Sequence, residues 1–128
     1  MRRFYCLHSS LDQIILLLTL GVLSLLLAST VQAQDLFERG KKFYGKRGAV
    51  TDSIKADPTN INRAIDFFEK ALEQDVKNEE TITYLLRSYY FKGMYTGLNE
   101  NEQQDVYDKG RDLGEKMIDQ YPSSVPIK

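Results

Sequence analysis

Between residues 57 and 74 the apolar side chains Ile61, Ala64, Ile65, Phe68, Ala71 and Leu72 recur at intervals of three and four, with Asp66, Glu69, Lys70 and Glu73 between them. That spacing puts one apolar stripe on a helix and cannot be laid onto a strand, whose faces alternate every second residue. Asp57 and Pro58 precede the stripe as an N-cap residue and a proline at the first helical position, where the missing N–H removes no hydrogen bond. Similar patterns follow. Asn78 with Glu79 and Glu80 predicts a third helix to about Tyr95, and Asn99-x-x-Glu102, at capping-box spacing, predicts a fourth that runs to Tyr121 and is stopped by Pro122. Phe37, Gly40, Phe43 and Tyr44 cluster on a first helix from about Asp35 to Arg47, ended by Gly48. The expected fold class is all-α.

The N-terminal segment has a different composition. Arg2 and Arg3 precede an apolar run from Ile14 to Ala28, and Val31-Gln32-Ala33 ends it in small residues, the layout of a secretory signal. Cleavage is expected after Ala33, with the mature chain starting at Gln34. The rival is an uncleaved anchor, because no charge lies between Asp12 and Asp35. With Arg2 and Arg3 held inside, both place the rest of the chain beyond the cytoplasmic membrane, periplasmic or secreted. Residues 1–33 would be the signal, 34–124 the helical domain and 125–128 a tail or a truncated continuation.

Charge and chemistry narrow the function. Residues 34–128 hold 15 Lys and Arg against 17 Asp and Glu, which is not a nucleic-acid-binding balance. Cys6 and His8, the chain's only cysteine and histidine, both precede residue 34. The remainder therefore offers no disulfide, no Ser/His/Asp or Cys/His nucleophile system, and no soft metal ligand. The acidic pairs Glu79-Glu80 and Glu100-x-Glu102 sit where helices begin, and dipole and capping roles account for them. No catalytic residue, metal site or cofactor is expected; an enzyme using carboxylates alone would need Glu80, Glu100 and Glu102 to converge.

The helices also repeat. Phe37, Gly40 and Tyr44 align with Ile82, Leu85 and Tyr89, while Ala64, Phe68, Ala71 and Val76 align with Gly110, Gly114, Met117 and Pro122, a period of about 45 residues. Ala64-x3-Phe68-x2-Ala71 resembles the second helix of the tetratricopeptide repeat, and Pro122 stands where that family places its proline. The first-helix positions correspond to Phe37, Gly40, Lys41 and Tyr44, and to Ile82, Leu85, Leu86 and Tyr89. Both copies are longer than the usual repeat of about 34 residues, with the excess at about 48–58 and 96–103. The resemblance implies antiparallel helix pairs stacked as a right-handed solenoid, and a protein-binding or scaffolding role without catalysis. A narrower likeness rests on Tyr107-x2-Gly110-x3-Gly114 followed by Tyr121-Pro122-Ser123-Ser124, which is similar to the periplasmic T component of TRAP transporters. It implies an accessory transport component that binds a small ligand between helices.

In tetratricopeptide proteins the first helix of each pair lines the groove. Carried over by position, this selects Lys42 and Lys46 beside Asp35 and Glu38 in one copy, and Glu80, Thr83, Arg87, Tyr90 and Phe91 in the other. Arg87 would supply charge and Tyr90 and Phe91 apolar contact for a peptide segment of an exported or membrane protein. Arg39, Lys41, Lys42, Lys46 and Arg47 form a basic cluster that suits anionic headgroups or an acidic partner, or else a solvated face. Tyr84 and Tyr89 are expected in the core. Gly110 and Gly114 share a face where a neighbouring helix could come close. Two copies of a stacking unit are few, so the expected remedies are a homo-oligomer or further chain.

Overall fold

The computed structural model describes residues 4–48 and 55–120. Its regular elements are four helices: α1 (Phe4–Gly45), α2 (Pro58–Gln74), α3 (Glu79–Tyr95) and α4 (Glu100–Gln120). The chain is all-α, as the periodicity requires. Three of the four starts carry the expected caps. Asp57 accepts a hydrogen bond from the Thr59 N–H at 2.7 Å with Pro58 following, and Asn78 Oδ1 accepts from the Thr81 N–H at 2.9 Å. At α4 the capping box closes in both directions: Glu102 N–H donates to Asn99 Oδ1 and Asn99 N–H to Glu102 Oε2, each at 3.0 Å. Pro122, the expected stop of α4, and the tail at 125–128 lie outside the described residues.

The start of α1 differs from expectation. The helix begins at Phe4 rather than near Asp35 and passes through Ala33 without a break. The residues from Ile14 to Val31 include nothing that would end it: no proline is present, and Gly21 is a single weak point. Ala33, the residue just before the expected cleavage point, is buried. Among the described residues no helix is long and apolar enough to cross a membrane. At its other end α1 stops at Gly45, and the chain tightens into a turn in which Lys46 N–H donates to Phe43 O and Arg47 N–H to Tyr44 O.

Packing follows chain order. α1 lies on α2, α2 on α3 and α3 on α4, and α1 also approaches α3; among the described residues the α4 backbone comes close to that of α3 alone. The core is the α2 stripe, with Ile61, Ala64, Ile65, Phe68 and Ala71 buried, closed from the sides by Phe37, Ile82, Leu85, Tyr89 and Val106. Truncating Phe68, which is wholly inaccessible, would cost about 3–5 kcal/mol. Tyr84 of α3 inserts among aromatic rings from two helices, with ring centroids 5.5 Å from Phe37, 5.4 Å from Tyr44 and 5.5 Å from Phe68. The contacts with Phe37 and Tyr44 are edge-to-face and that with Phe68 is tilted, and together they fix the seat of α3 on the first pair.

Two assignments made from periodicity change in three dimensions. Glu69 is not part of the solvated side of α2: it is half-buried and its Oε1 accepts a 2.6 Å hydrogen bond from the Tyr89 hydroxyl on α3. Gly110 and Gly114 are not where helices come closest. A Cβ on Gly110 would meet Tyr89 Cβ at an ordinary 3.7 Å, and one on Gly114 would meet nothing within 4 Å among the described residues. The close approaches are at Gly40, against the Phe68 ring, and Gly93, against the Tyr107 ring. Gly93 therefore does more than weaken the end of α3, because a side chain there would displace Tyr107 from α4.

Candidate functional site

Where α1 ends and α3 passes it, the half-buried and exposed side chains of both helices line a cleft of about 400 Å³. Tyr44 and Arg47 come from the end of α1 and the turn after it; Leu86, Arg87, Tyr90, Phe91 and Tyr95 come from α3. On α3 these positions recur at three and four, which puts them on one side of the helix, while Leu85, Ser88 and Tyr89 turn into the core.

The cleft's anchor is Arg47. Its Nη1 donates to the Tyr44 carbonyl at 2.9 Å, and its guanidinium carbon lies 3.9 Å from the Tyr44 ring centroid and 5.2 Å from that of Phe91. Two aromatic faces therefore hold the cation in place, the arrangement that favours a planar guanidinium over an ammonium. Arg47 Nε is buried and has no hydrogen-bond partner among the described residues. The Phe91 ring leans on Tyr95 at 5.0 Å. Arg87 is exposed and stands 5.9 Å from the Tyr84 ring, without an ion-pair partner among the described residues. Tyr90 and Tyr95 expose 57% and 51% of their surface, apolar area that the body leaves uncovered.

The seven groove positions selected from sequence divide. Arg87, Tyr90 and Phe91 share this cleft. Lys42, Lys46, Glu80 and Thr83 do not line it. Lys42 and Lys46 are exposed on α1 and the following turn, and the Lys46 carbonyl accepts from Asn60 Nδ2 at 3.1 Å. Glu80 lies 3.9 Å from Lys41 Nζ, and the Thr83 hydroxyl is turned back onto the Glu79 carbonyl at 2.8 Å. Asp35 pairs with Arg39 at 3.8 Å and Glu38 with Lys41 at 3.4 Å. Tyr44, Arg47, Leu86 and Tyr95 were not selected. Tyr44 and Leu86 are first-helix positions of the repeat and Arg47 belongs to the basic run in sequence; the turn that folds Arg47 back over Tyr44 makes it part of the cleft.

The basic cluster does not form one free surface. Arg39 lies over the Phe67 ring at 4.5 Å, Lys41 stands 5.1 Å from the Phe37 ring and 5.9 Å from Tyr84, and Arg47 is held as described. Lys42 and Lys46 are exposed, and Arg39 is exposed as well while it lies over Phe67 and pairs with Asp35.

Further grooves lie beside α4. One of about 460 Å³ separates α2 from α4 above Leu85 and Tyr89, with Leu72 and Leu113 at its walls. Another of about 470 Å³ is polar, bordered by Lys92, Glu102, Asp105 and Lys109. Among the described residues no group of three or more His, Cys, Asp or Glu is placed to hold a metal ion.

Comparison of the chain with protein-family models, with curated proteins and with solved structures finds no match.

Proposed function

We propose that the chain is a tetratricopeptide-like binding module, exported across the cytoplasmic membrane and without chemistry of its own, that holds a segment of a partner protein in the cleft between α1 and α3. The observation that carries this reading is the meeting of Arg87, Tyr90 and Phe91 with Arg47 in one cleft. Sequential packing of α1 to α4, with α1 also touching α3, supports stacked helix pairs. The tetratricopeptide spacing of Ala64, Phe68 and Ala71 supports the same arrangement, since all three are buried.

The chemistry of the cleft selects its occupant. Arg87 offers a guanidinium without an ion-pair partner among the described residues and Arg47 a second one held rigid between rings, so the segment carries a carboxylate. Tyr90, Tyr95 and Leu86 offer apolar area with hydroxyls that tolerate water, so an aromatic or aliphatic side chain accompanies that carboxylate. A cleft open to solvent on the protein surface suits an extended segment better than a small ligand enclosed between helices, which is why the transport-accessory reading takes second place.

The test is fluorescence anisotropy with a labelled peptide library of acidic and aromatic hexamers, against the full chain and Arg87→Ala/Tyr90→Ala. Loss of at least tenfold in affinity for the best binders is expected. Equal affinity for the wild-type chain and the double variant, or no binder in the library, overturns the assignment.

A further inference from the structure

Helices that pack in chain order leave two ends, and here the ends carry opposite charge. On α1, Lys41 Nζ reaches Glu80 of α3 at 3.9 Å, and Arg39 stands two residues, about 200°, from Lys41, so Arg39 lies on the side away from α3. On α2, Phe67 has the same relation to Glu69, which accepts from Tyr89 of α3. That outer side holds a ladder of four side chains. Arg39 lies 4.5 Å over the Phe67 ring, the Phe67 ring stacks on Phe43 with centroids 5.6 Å apart and planes at 10°, and Arg63 lies 5.4 Å from the Phe43 ring. Both arginines are exposed; Arg39 pairs with Asp35 at 3.8 Å, and Arg63 has no ion-pair partner among the described residues. A guanidinium lying flat on a ring keeps its N–H edge free to donate to a carboxylate.

At the other end, Asp108, Arg111, Glu115 and Ile118 recur along α4 at three and four, which makes them one stripe. Asp108 stands about 200° from the buried Val106 and Glu115 about 200° from Leu113, which packs on the core, so the stripe faces away from α3. Three carboxylates surround the single cation Arg111: Asp108 at 2.9 Å, Asp112 at 3.6 Å and Glu115 at 3.9 Å. Ile118 is 52% exposed beside them. The same imbalance runs through the whole elements, with three Lys and Arg against seven Asp and Glu in α4, and five against two in residues 35–47.

We propose that the chain associates with further copies of itself head to tail, the outer stripe of α4 in one copy packing on the α1–α2 ladder of the next. Asp108 and Glu115, in surplus around Arg111, accept from Arg39 and Arg63 of the neighbouring copy, and Ile118 covers the half-buried rings of Phe43 and Phe67. Laying either end on a second copy of itself would bring like charges together, so the contact is heterologous and copies add in a row. Such a row supplies the neighbours that two stacked helix pairs lack. The proposal does not depend on what occupies the cleft between α1 and α3.

The test is sedimentation velocity of the full chain in an uncharged, density-matched detergent, which covers the exposed apolar side chains from Ile14 to Leu20. Wild type is expected to grow in mass with concentration and to return to single chains as NaCl rises from about 50 to about 500 mM. Arg39→Gln/Arg63→Gln disables one end and Asp108→Asn/Glu115→Asn the other. Each variant alone should associate at least tenfold more weakly than wild type, while their equimolar mixture should stop at a one-to-one dimer, because one keeps the α4 stripe and the other the ladder. A wild type that is monomeric throughout, or whose association ignores salt, overturns the proposal without recourse to any variant. Association that survives in one variant alone would mean a symmetric contact, survival in both would trace it to another surface, and a mixture of two helical variants that stays monomeric would show that the ends do not meet; each of these also overturns it.

Discussion

A methyl group placed on Gly40 of α1 would lie 2.5 Å from Cε1 and 2.6 Å from Cδ1 of Phe68 on α2, closer than any carbon pair tolerates. Phe68 is wholly buried and packed on Tyr84, so it has no free direction in which to yield. The absence of a side chain at one position thus sets how near the first two helices come.

Gly40→Ala is expected to destabilise the fold. Overpacking costs about 1–3 kcal/mol and the gain in helix propensity returns about 1 kcal/mol, leaving a net loss of up to about 2 kcal/mol. Gly114→Ala has the opposite sign, a gain of about 0.5–1 kcal/mol, because nothing lies within 4 Å of its added carbon among the described residues. Urea denaturation followed by helical circular dichroism measures both. A loss at Gly114 would show that another helix packs there.

Tyr89→Phe removes the donor of the 2.6 Å bond to Glu69 and leaves a half-buried carboxylate short of a partner. A loss of about 1–3 kcal/mol at neutral pH follows. An unchanged midpoint would mean that water replaces the hydroxyl at no cost.

The same pair predicts an alkaline limit. Burial, and then the hydrogen bond to and negative charge of Glu69, push the Tyr89 phenol above its ordinary value of 10.0. Folding thus holds the proton more tightly than the unfolded chain does. The contribution is complete below about pH 10, where the unfolded tyrosine titrates, and is lost as pH rises toward the folded value. Between pH 9 and 12 the wild-type chain should lose stability more steeply than Tyr89→Phe; parallel curves would rule out the linkage.

At the start of α2 the sign is reversed. Hydrogen bonds from Thr59 hold the Asp57 carboxyl below the ordinary carboxylate value of 3.8. Its stabilising effect is present above that value and disappears as pH falls through the lower folded one. Asp57→Ala should lower the melting temperature at pH 7 and make it less sensitive to acid between pH 5 and 2. Equal acid sensitivity in the two chains would contradict the cap's role.

At the cleft, Arg87→Ala and Tyr90→Ala should each leave the denaturation midpoint within about 0.5 kcal/mol of wild type, because both side chains are exposed. Arg47→Ala differs, since it removes a cation stacked on Tyr44 and near Phe91, and a loss of about 1–2 kcal/mol is expected from the same denaturation curves. An Arg47→Ala midpoint equal to that of Arg87→Ala would mean that the stacking does not stabilise the fold.

Helix identity and the starts of α2, α3 and α4 were legible in the sequence because they depend on groups within four residues of one another. Asp57 with Thr59, Asn78 with Thr81, and Asn99 with Glu102 are contacts that a linear reading can find. So were the α2 stripe and the core places of Tyr84 and Tyr89. Of the cleft, Arg87, Tyr90 and Phe91 followed from position on a first helix. Arg47 did not, because its place depends on the turn that carries it over Tyr44 and on the ring of Phe91 arriving from α3.

What tertiary structure alone decided were choices among equivalent neighbours. Glu69 and Asp66 both read as solvated carboxylates on α2, yet only Glu69 lies opposite the Tyr89 hydroxyl. Gly40, Gly93, Gly110 and Gly114 all stand on helices, and the crossing points of α1 on α2 and α3 on α4 select Gly40 and Gly93 for close approach while leaving Gly114 open among the described residues. Local sequence sets the hydrogen bonds along a helix, whose partners are four residues away; the distance and angle between helices set which side chains meet, and those depend on every residue in the contact at once.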